Sequence, residues 1–159
     1  LQIPNLKPQV TKSTIPDEVL DIDVYTDTVY LLAKDDIYRS GKKWTDVGLS
    51  LSSQAKMAID GSIWILDQGK ISKYTRGVKD SFETGEAFGA NSIIFTKEDY
   101  KNLYILDSSA GKIIVLNKLG ELMGQYIFDL AKTATDLAVD EVGGKIYLIE
   151  GSKIWVVNL

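Results

Sequence analysis

The 159-residue sequence has 45% hydrophobic and 25% charged residues, which is typical of a globular domain with a real core. Its net charge of −4 argues against nucleic acid or an anionic membrane as the main partner, because both attract a basic surface. The sequence contains no cysteine and no histidine, which excludes disulfides, thiolate metal sites and any catalytic triad that uses histidine.

The first eighteen residues differ from the rest, because all three prolines lie there, at positions 4, 8 and 16. Residues 1–18 are therefore predicted to be extended. "QVTKST" within them is interpreted either as an edge strand, where proline is tolerated, or as part of a linker. No apolar stretch approaches the roughly 18 residues that span a bilayer, so we expect no membrane span in this chain.

A repeat begins at residue 19. Four segments combine an apolar run that has an aromatic second residue with a short polar loop and a second apolar run. They are "VYLLAKDDIYRS" (29–40), "IWILDQGKISKY" (63–74), "LYILDSSAGKIIVL" (103–116) and "IYLIEGSKIWVV" (146–157). The aromatic residues Tyr30, Trp64, Tyr104 and Tyr147 are separated by 34, 40 and 43 residues. A recurrence at this period indicates one supersecondary unit that is repeated.

Each unit is predicted to be a meander of antiparallel strands. A short strand precedes each aromatic run ("LDIDVY", "KMAID", "SIIFT" and "DLAVD"), and the Gly, Asp and Asn residues between them are typical of hairpin turns. "KKWTDVG", "VKDSFET" and "GELMGQYIFD" are predicted to be the fourth strands of the first three units. The four units are predicted to cover residues 19–50, 51–88, 89–130 and 131–159.

The central runs "IWIL", "LYIL" and "IYLI" do not alternate apolar with polar residues, which indicates that both faces of these strands are buried. Sheets that are stacked on both sides describe the blades of a β-propeller, whereas a parallel α/β sheet would need crossover helices whose period is absent here. We therefore predict an all-β fold, a β-propeller of four-stranded antiparallel blades, with four blades in this chain. Trp64, Tyr104 and Tyr147 are expected to be buried between neighbouring sheets.

"NLYILDSSAGKIIVLNKLGELMGQY" (102–126) resembles an NHL-type propeller repeat, in which an aromatic–hydrophobic–Asp run, a small loop, a basic–Ile run and a Gly-containing turn follow one another. Unit two resembles it through "GSIWILDQGKISKYTRG" and unit four through "GGKIYLIEGSKIWVVN". Unit one departs, because Ala33 occupies the position of the acid and Asp36 that of the base. The resemblance implies a propeller. NHL-like repeats often form the sensor or scaffold region of larger bacterial proteins, including receptor kinases.

An acid that closes one central strand and a lysine that opens the next recur in units two to four, and unit one carries two neighbouring acids. These candidate ligand-binding residues are Asp67, Asp107 and Glu150, Lys70, Lys112 and Lys153, and Asp35 and Asp36. One interpretation is structural, since opposite charges beside a hairpin loop support its register. The other interpretation is a ring of charges that holds a ligand at the mouth of the channel.

Unit one is the most acidic. Asp21 and Asp23 are two residues apart on a predicted strand, so both carboxylates lie on one face of it. They are interpreted as turn and edge acids, because the calcium-loop pattern of alternating acids and a glycine is absent. A calcium or cationic-ligand site in unit one is the alternative. No cofactor is predicted, calcium being the one case left open.

The predicted function is a non-enzymatic β-propeller module that binds a protein, peptide or glycan. It is interpreted as the sensor or scaffold part of a larger bacterial protein, with an extracytoplasmic location slightly favoured. The alternative is a calcium-dependent propeller hydrolase such as a lactonase, which uses carboxylates and amides and needs no histidine. A purely structural role within a larger ring is a third interpretation, because a fold does not fix a function.

The strand pattern leaves ring closure open. Unit four ends after its third strand, and "QVTKST" would supply the missing one, because an unpaired strand edge invites aggregation. Three arrangements fit: a closed four-blade ring, an eight-blade ring of two chains that exchange their first strands, and part of a longer chain with six to eight blades. A homodimer and missing blades from a longer parent are therefore both expected alternatives, and taken together they are favoured over the closed ring.

Overall fold

The structure is a computed structural model that describes Pro16 and residues 18–159. This part of the chain folds into four antiparallel sheets that form four blades of a β-propeller, as predicted. In every sheet the strands follow one another in chain order, so each blade is a simple meander.

The bounds of the elements are as follows. Blade 1 consists of β1 (Val19–Tyr25), β2 (Thr28–Ala33), β3 (Ile37–Arg39) and β4 (Lys42–Lys43), and blade 2 of β5 (Lys56–Ile59), β6 (Ile63–Asp67), β7 (Lys70–Thr75) and β8 (Val78–Lys79). Blade 3 consists of β9 (Ile93–Phe95), β10 (Asn102–Asp107), β11 (Lys112–Asn117) and β12 (Leu122–Ile127). After the short helix α1 (Leu130–Thr133), blade 4 consists of β13 (Asp136–Asp140), β14 (Lys145–Glu150) and β15 (Lys153–Asn158).

Blade 4 has three strands within the described residues, and the predicted strand "QVTKST" lies outside them.

The outermost strands of blades 1 and 2 are only two residues long, so most of "KKWTDVG" and "VKDSFET" is not strand. Aromatic side chains explain the difference. Trp44 packs edge-on against Tyr30, and Phe82 packs edge-on against Trp64 with ring centres 5.1 Å apart. Both segments therefore leave the sheet to cover the apolar core.

Alternate residues of each strand face the preceding or the following blade, and these two surfaces are called here the N-side face and the C-side face. In blade 2, Met57, Ile59, Ile63 and Ile65 lie on the N-side face and pack against blade 1. Ala58, Trp64, Leu66 and Ile71 lie on its C-side face and pack against blade 3. A third apolar cluster joins blades 3 and 4. The described residues thus form three cores, one at each junction between successive blades.

Both faces of the central strands of blades 2 and 3 are buried, as their non-alternating sequences predict, but the same prediction is wrong for β14 of blade 4, where burial alternates along the strand. Residues 63–66 of β6 and 103–107 of β10 are buried without a break. Trp64 and Tyr104 are 1% and 2% exposed, which confirms their predicted burial. The prediction is wrong for Tyr147, which is only half-buried. Tyr147 lies on the C-side face of blade 4, and no further blade in the described part of the chain packs there.

The helical content of the described residues is small. The helix α1 has four residues and bridges blades 3 and 4, where Ala131 is buried in the junction core. Within the described part of the chain, no helix has the length and apolar character that a membrane crossing requires.

Candidate functional site

The innermost strands of the four blades, β1, β5, β9 and β13, meet around one central cavity of about 630 Å³. They pack in chain order, β1 against β5, β5 against β9 and β9 against β13. Each of them pairs with only one other strand of its own sheet, so its second edge presents backbone amides and carbonyls that no strand in that sheet satisfies. The central cavity is therefore lined partly by backbone polar groups.

Asp21 and Asp23 satisfy some of these amides. Their register with Leu32 and Tyr30 places both carboxylates on the C-side face of blade 1, which confirms that they share one face. The Oδ1 of Asp21 accepts a hydrogen bond from the backbone N–H of Ile22 at 3.0 Å, and its Oδ2 accepts one from Met57 in the next blade at 2.8 Å. Asp21 therefore ties the inner strands of blades 1 and 2 together across their free edges.

Asp23 also satisfies a backbone amide, but within its own strand. Its Oδ1 accepts a hydrogen bond from the backbone N–H of Val24 at 2.7 Å. Burial raises the pKa of the Asp23 carboxyl, and the negative charge of Asp21 adds to this effect, while the Val24 amide acts in the opposite direction. Asp23 therefore lies at the wall of the cavity in a partly desolvated position.

The charged residues around the central cavity are mostly acidic. Four carboxylates and two ammonium groups line it, namely Asp21, Asp23, Glu98 and Asp136, and Lys56 and Lys97. A concave surface with an excess of one charge concentrates ligands of the opposite charge. The electrostatics of the cavity therefore favour a cationic ligand over an anionic one.

A hydrogen bond connects two blades that are not neighbours. The hydroxyl of Tyr25, at the end of β1, donates to Oε1 of Glu98 in the turn after β9, at 3.0 Å. This hydrogen bond raises the pKa of the Tyr25 hydroxyl, and the Glu98 charge adds to the effect. Lys97, beside Glu98, places its ammonium 5.6 Å from the centre of the Phe95 ring. The turn that follows β9 thus brings opposite charges to the rim of the cavity.

Within Pro16 and residues 18–159, no three acidic, histidine or cysteine side chains converge in a way that would hold a metal ion. Asp21 and Asp23 already accept backbone hydrogen bonds, which occupy oxygens that a cation would need. The calcium site considered for unit one stays a prediction.

The acids predicted from the repeat anchor the chain segments that lead into their own blades. Asp107 is 3% exposed and accepts hydrogen bonds from the backbone N–H groups of Gly89 at 3.0 Å and Ala110 at 3.1 Å. Asp67 accepts one from the N–H of Ser52 at 3.2 Å, and Glu150 accepts one from the hydroxyl of Thr133 at 2.6 Å. Ser52, Gly89 and Thr133 all precede the inner strand of the blade concerned.

The two acids of unit one differ in exposure. Asp36 is 2% exposed and accepts hydrogen bonds from the backbone N–H groups of Ile37 at 2.8 Å and Thr45 at 3.2 Å. Asp35 is exposed and forms a salt bridge with Lys43 at 2.8 Å. That hydrogen-bonded salt bridge holds the pKa of the Asp35 carboxyl below its ordinary value, although partial desolvation opposes this. Asp36 thus fixes the β3–β4 hairpin of blade 1.

The three predicted lysines lie opposite the acids in the sheet register, which pairs Asp67 with Lys70, Asp107 with Lys112 and Glu150 with Lys153. None of these pairs is among the salt bridges of the described residues. Asp67 and Lys70 lie on the wall of a second cavity of about 630 Å³, between blade 2 and the segment 46–51. None of the eight predicted residues lines the central cavity. Their role in ligand binding stays a prediction.

Sequence reasoning missed four of the six charged residues of the central cavity, Lys56, Lys97, Glu98 and Asp136. The signal that would have found them is their place in the repeat. Lys56 and Asp136 begin the short inner strands β5 and β13, while Lys97 and Glu98 follow β9. In a propeller the first strand of each blade lines the channel. Charges at the ends of these strands are therefore channel candidates, whereas those beside the central hairpins are not.

Comparison with known proteins places the fold among β-propellers. The chain is similar to BamB from Moraxella catarrhalis, with 14% identity, a TM-score of 0.59 and coverage of 85% of this chain and 41% of that one. Hydrazine synthase from Kuenenia stuttgartiensis is 12% identical over 96% of this chain and 49% of that one, with a TM-score of 0.62. A catalytically inactive virginiamycin B lyase from Staphylococcus aureus with quinupristin is 19% identical over 98% of this chain and 61% of that one, with a TM-score of 0.60.

At these identities the likeness shows the fold alone. The chain spans about half the length of the solved structures that it matches. No protein-family description matches the sequence, and no curated protein does. The β-propeller is therefore established, and the narrower resemblance to NHL-type repeats stays a prediction.

Proposed function

We propose that this chain is a non-enzymatic binding module that receives an extended, basic segment of a protein or peptide in its central cavity. The observation that carries the proposal is the composition of the cavity wall, where four carboxylates and two lysines surround a space of about 630 Å³. This volume lies in the range of ordinary ligand sites, about 300–1,000 Å³. A glycan, the other ligand predicted from the sequence, lacks the positive charge that this wall favours.

Two features of the cavity suit a peptide. The inner strands expose a free backbone edge, which pairs with an extended segment through main-chain hydrogen bonds. Glu98 is exposed at the wall and is available to arginine or lysine side chains. As part of a larger bacterial protein, such a module would act as a sensor or scaffold domain, in keeping with the role that the repeats suggest.

The test measures binding of fluorescent extended peptides by anisotropy, with lysine- and arginine-rich peptides compared with acidic peptides of equal length. We expect the basic peptides to bind and their affinity to fall as salt is raised, because screening weakens exposed charge pairs. Replacing Glu98 by Lys reverses one charge of the wall. It should weaken binding of the basic peptides about tenfold, equivalent to about 1.4 kcal/mol.

Asp99→Lys is the matched control, since Asp99 is the next residue in the same turn, is exposed, and is not part of the cavity wall. This variant changes the net charge by the same amount as Glu98→Lys and should leave the affinity within about twofold of the parent. Equal loss in the two variants would reduce the effect to net charge and contradict the proposed site. Failure of every basic peptide to bind would contradict the proposed ligand class.

A further inference from the structure

Two blade faces that resemble the buried ones are left uncovered. On the N-side face of blade 1, Ile22, Val24 and Val29 are 61%, 60% and 46% exposed. On the C-side face of blade 4, Ile149, Ile154 and Val156 are 39%, 71% and 53% exposed. Contiguous apolar patches on a sheet face mark an interaction surface.

The N-side face of blade 1 has the same apolar positions as the N-side face of blade 2, which packs against blade 1. The strand registers make Ile22, Val24 and Val29 the counterparts of three blade-2 residues, Met57, Ile59 and Ile63. Those three residues are 5%, 5% and 2% exposed, because blade 1 covers them. Blade 1 thus presents, uncovered, the same apolar pattern that a preceding blade covers elsewhere in this fold.

The C-side face of blade 4 has the matching character. Ile149 and Ile154 are the counterparts of Leu32 and Ile37 in blade 1, both of which are fully buried against blade 2. The uncovered face of blade 4 therefore repeats the apolar surface that receives an N-side face at the first junction.

A carboxylate strengthens this equivalence. Asp136 occupies in blade 4 the register position of Asp21 in blade 1. Asp21 uses one oxygen for the next amide of its own strand and the other for Met57 in the following blade. Asp136 likewise accepts from the N–H of Leu137 through Oδ1 at 2.9 Å, and no hydrogen bond to its Oδ2 occurs within the described residues. Blade 4 therefore has a carboxylate in the position from which Asp21 of blade 1 binds the backbone of the following blade.

We propose that a second copy of this chain covers both faces, so that blade 4 of each copy packs on blade 1 of the other. The two junctions are identical and close an eight-blade ring, which is within the range of four to eight blades that propellers adopt. The occupant is a second copy because the two uncovered faces of one chain have the apolar positions that pack against each other at the junction of blades 1 and 2.

Light scattering coupled to size-exclusion chromatography tests the proposal with the full chain. The expected mass is twice 17.6 kDa, with dissociation on dilution. Ile154→Asp should shift the protein to monomer, because it places a charge in the proposed junction. Ile127→Asp is the matched control, since Ile127 also lies in an outer strand and is 75% exposed, compared with 71% for Ile154. Both variants should melt cooperatively, because neither side chain is buried in the single chain.

A mixing experiment tests which faces meet. Val24→Asp should be monomeric for the same reason as Ile154→Asp. A mixed pair of the two variants has one junction in which both faces carry Asp and one in which both faces are unchanged. The mixture is therefore expected to contain several-fold more dimer than either variant alone at equal total concentration. A parent chain that stays at 17.6 kDa at high concentration, a control variant that dissociates as fully as Ile154→Asp, or a mixture with no more dimer than its components would each overturn the proposal.

Discussion

The type of a residue does not by itself determine its partner, as the acid at the end of each central strand illustrates. The order of acid, short loop and lysine in units two to four suggests an ion pair across the hairpin. In the structure, Asp107 instead accepts two backbone N–H groups and the hydroxyl of Ser109. Buried amides must be satisfied, and a carboxylate satisfies several at once, whereas a lysine at the surface remains well solvated.

Asp107→Asn tests this role of the carboxylate. The amide that replaces it has one acceptor oxygen where the carboxylate has two, and it loses the charge that strengthens these hydrogen bonds. We expect the free energy of unfolding at pH 7 to fall by about 2 kcal/mol, measured by urea denaturation. Asp99→Asn, at an exposed position, should change it by less than about 0.5 kcal/mol. Equal effects of the two substitutions would contradict the anchoring role.

The same carboxylate predicts how this effect varies with pH. Burial acts to raise the pKa of Asp107, but hydrogen bonds from Ser109, Gly89 and Ala110 outweigh it and hold the pKa below its ordinary value of 3.8. A depressed folded-state pKa stabilises the protein above the ordinary value, and this contribution is lost as the pH falls through the folded-state pKa. The stability difference between the parent and Asp107→Asn should therefore be constant from pH 5 to 7 and shrink below about pH 4.

At the scale of elements, hairpin turns pack closely against the segments that connect successive blades. Gly120, in the β11–β12 turn, has φ of 91°, and a Cβ placed on it would lie 2.1 Å from the backbone oxygen of Glu83. Glu83 belongs to the segment that joins blades 2 and 3. Because glycine has no side chain, the β11–β12 turn of blade 3 lies directly against the segment that connects blade 2 to blade 3.

Gly120→Ala is therefore expected to destabilise the protein by about 3 kcal/mol or more, because backbone strain and a backbone clash add. Gly144 is the matched control. Its φ is 63°, and no atom lies within 4 Å of a Cβ built on it. Gly144→Ala should cost only the strain of a left-handed residue, about 1 kcal/mol. Urea denaturation of both variants measures the difference, and equal losses would show that the contact with Glu83 does not matter.

The central strands could be predicted because their signal is local. Runs such as "IWIL" and "LYIL" are apolar on both faces, and only a strand between two other sheets requires that. The outer strands of blades 1 and 2 could not be bounded in the same way. Their length depends on where Trp44 and Phe82 turn to pack against Tyr30 and Trp64, which is a tertiary contact that strand propensity does not contain.

The candidate site was predicted less well than the fold. The repeat places its recurring charges beside the central hairpins, but the cavity forms where four inner strands that are distant in sequence converge. Asp21 and Asp23 can be paired from the sequence, because residues two apart on a strand share one face. Lys56 and Glu98 become neighbours of that pair only when the blades are arranged in space, so no spacing in the sequence brings them together.

At the scale of the whole molecule, the position of each blade in the row determines how well its aromatic residue is buried. Tyr30 and Trp64 lie on C-side faces that the following blade covers, and they are 7% and 1% exposed. Tyr147 occupies the same position in blade 4 and is only half-buried. Tyr147 thus has the place in the sheet that the repeat predicts, and its exposure reflects the uncovered face of blade 4.

The central claim, that blade 4 of one copy meets blade 1 of another, is tested most directly by cross-linking. The sequence has no cysteine, so Ile22→Cys combined with Asp136→Cys introduces the only thiols. The control is Asp21→Cys with Met57→Cys, the equivalent pair at the first junction, whose hydrogen bond at 2.8 Å shows that they are close.

On mild oxidation the control variant should form a bond within one chain and migrate as a monomer on a denaturing gel. The Ile22–Asp136 variant should instead form covalent dimers that reductant separates. A bond within one chain in this variant would show that the four blades close into a ring by themselves. That result, or the absence of any bond while the control forms one, would contradict the account.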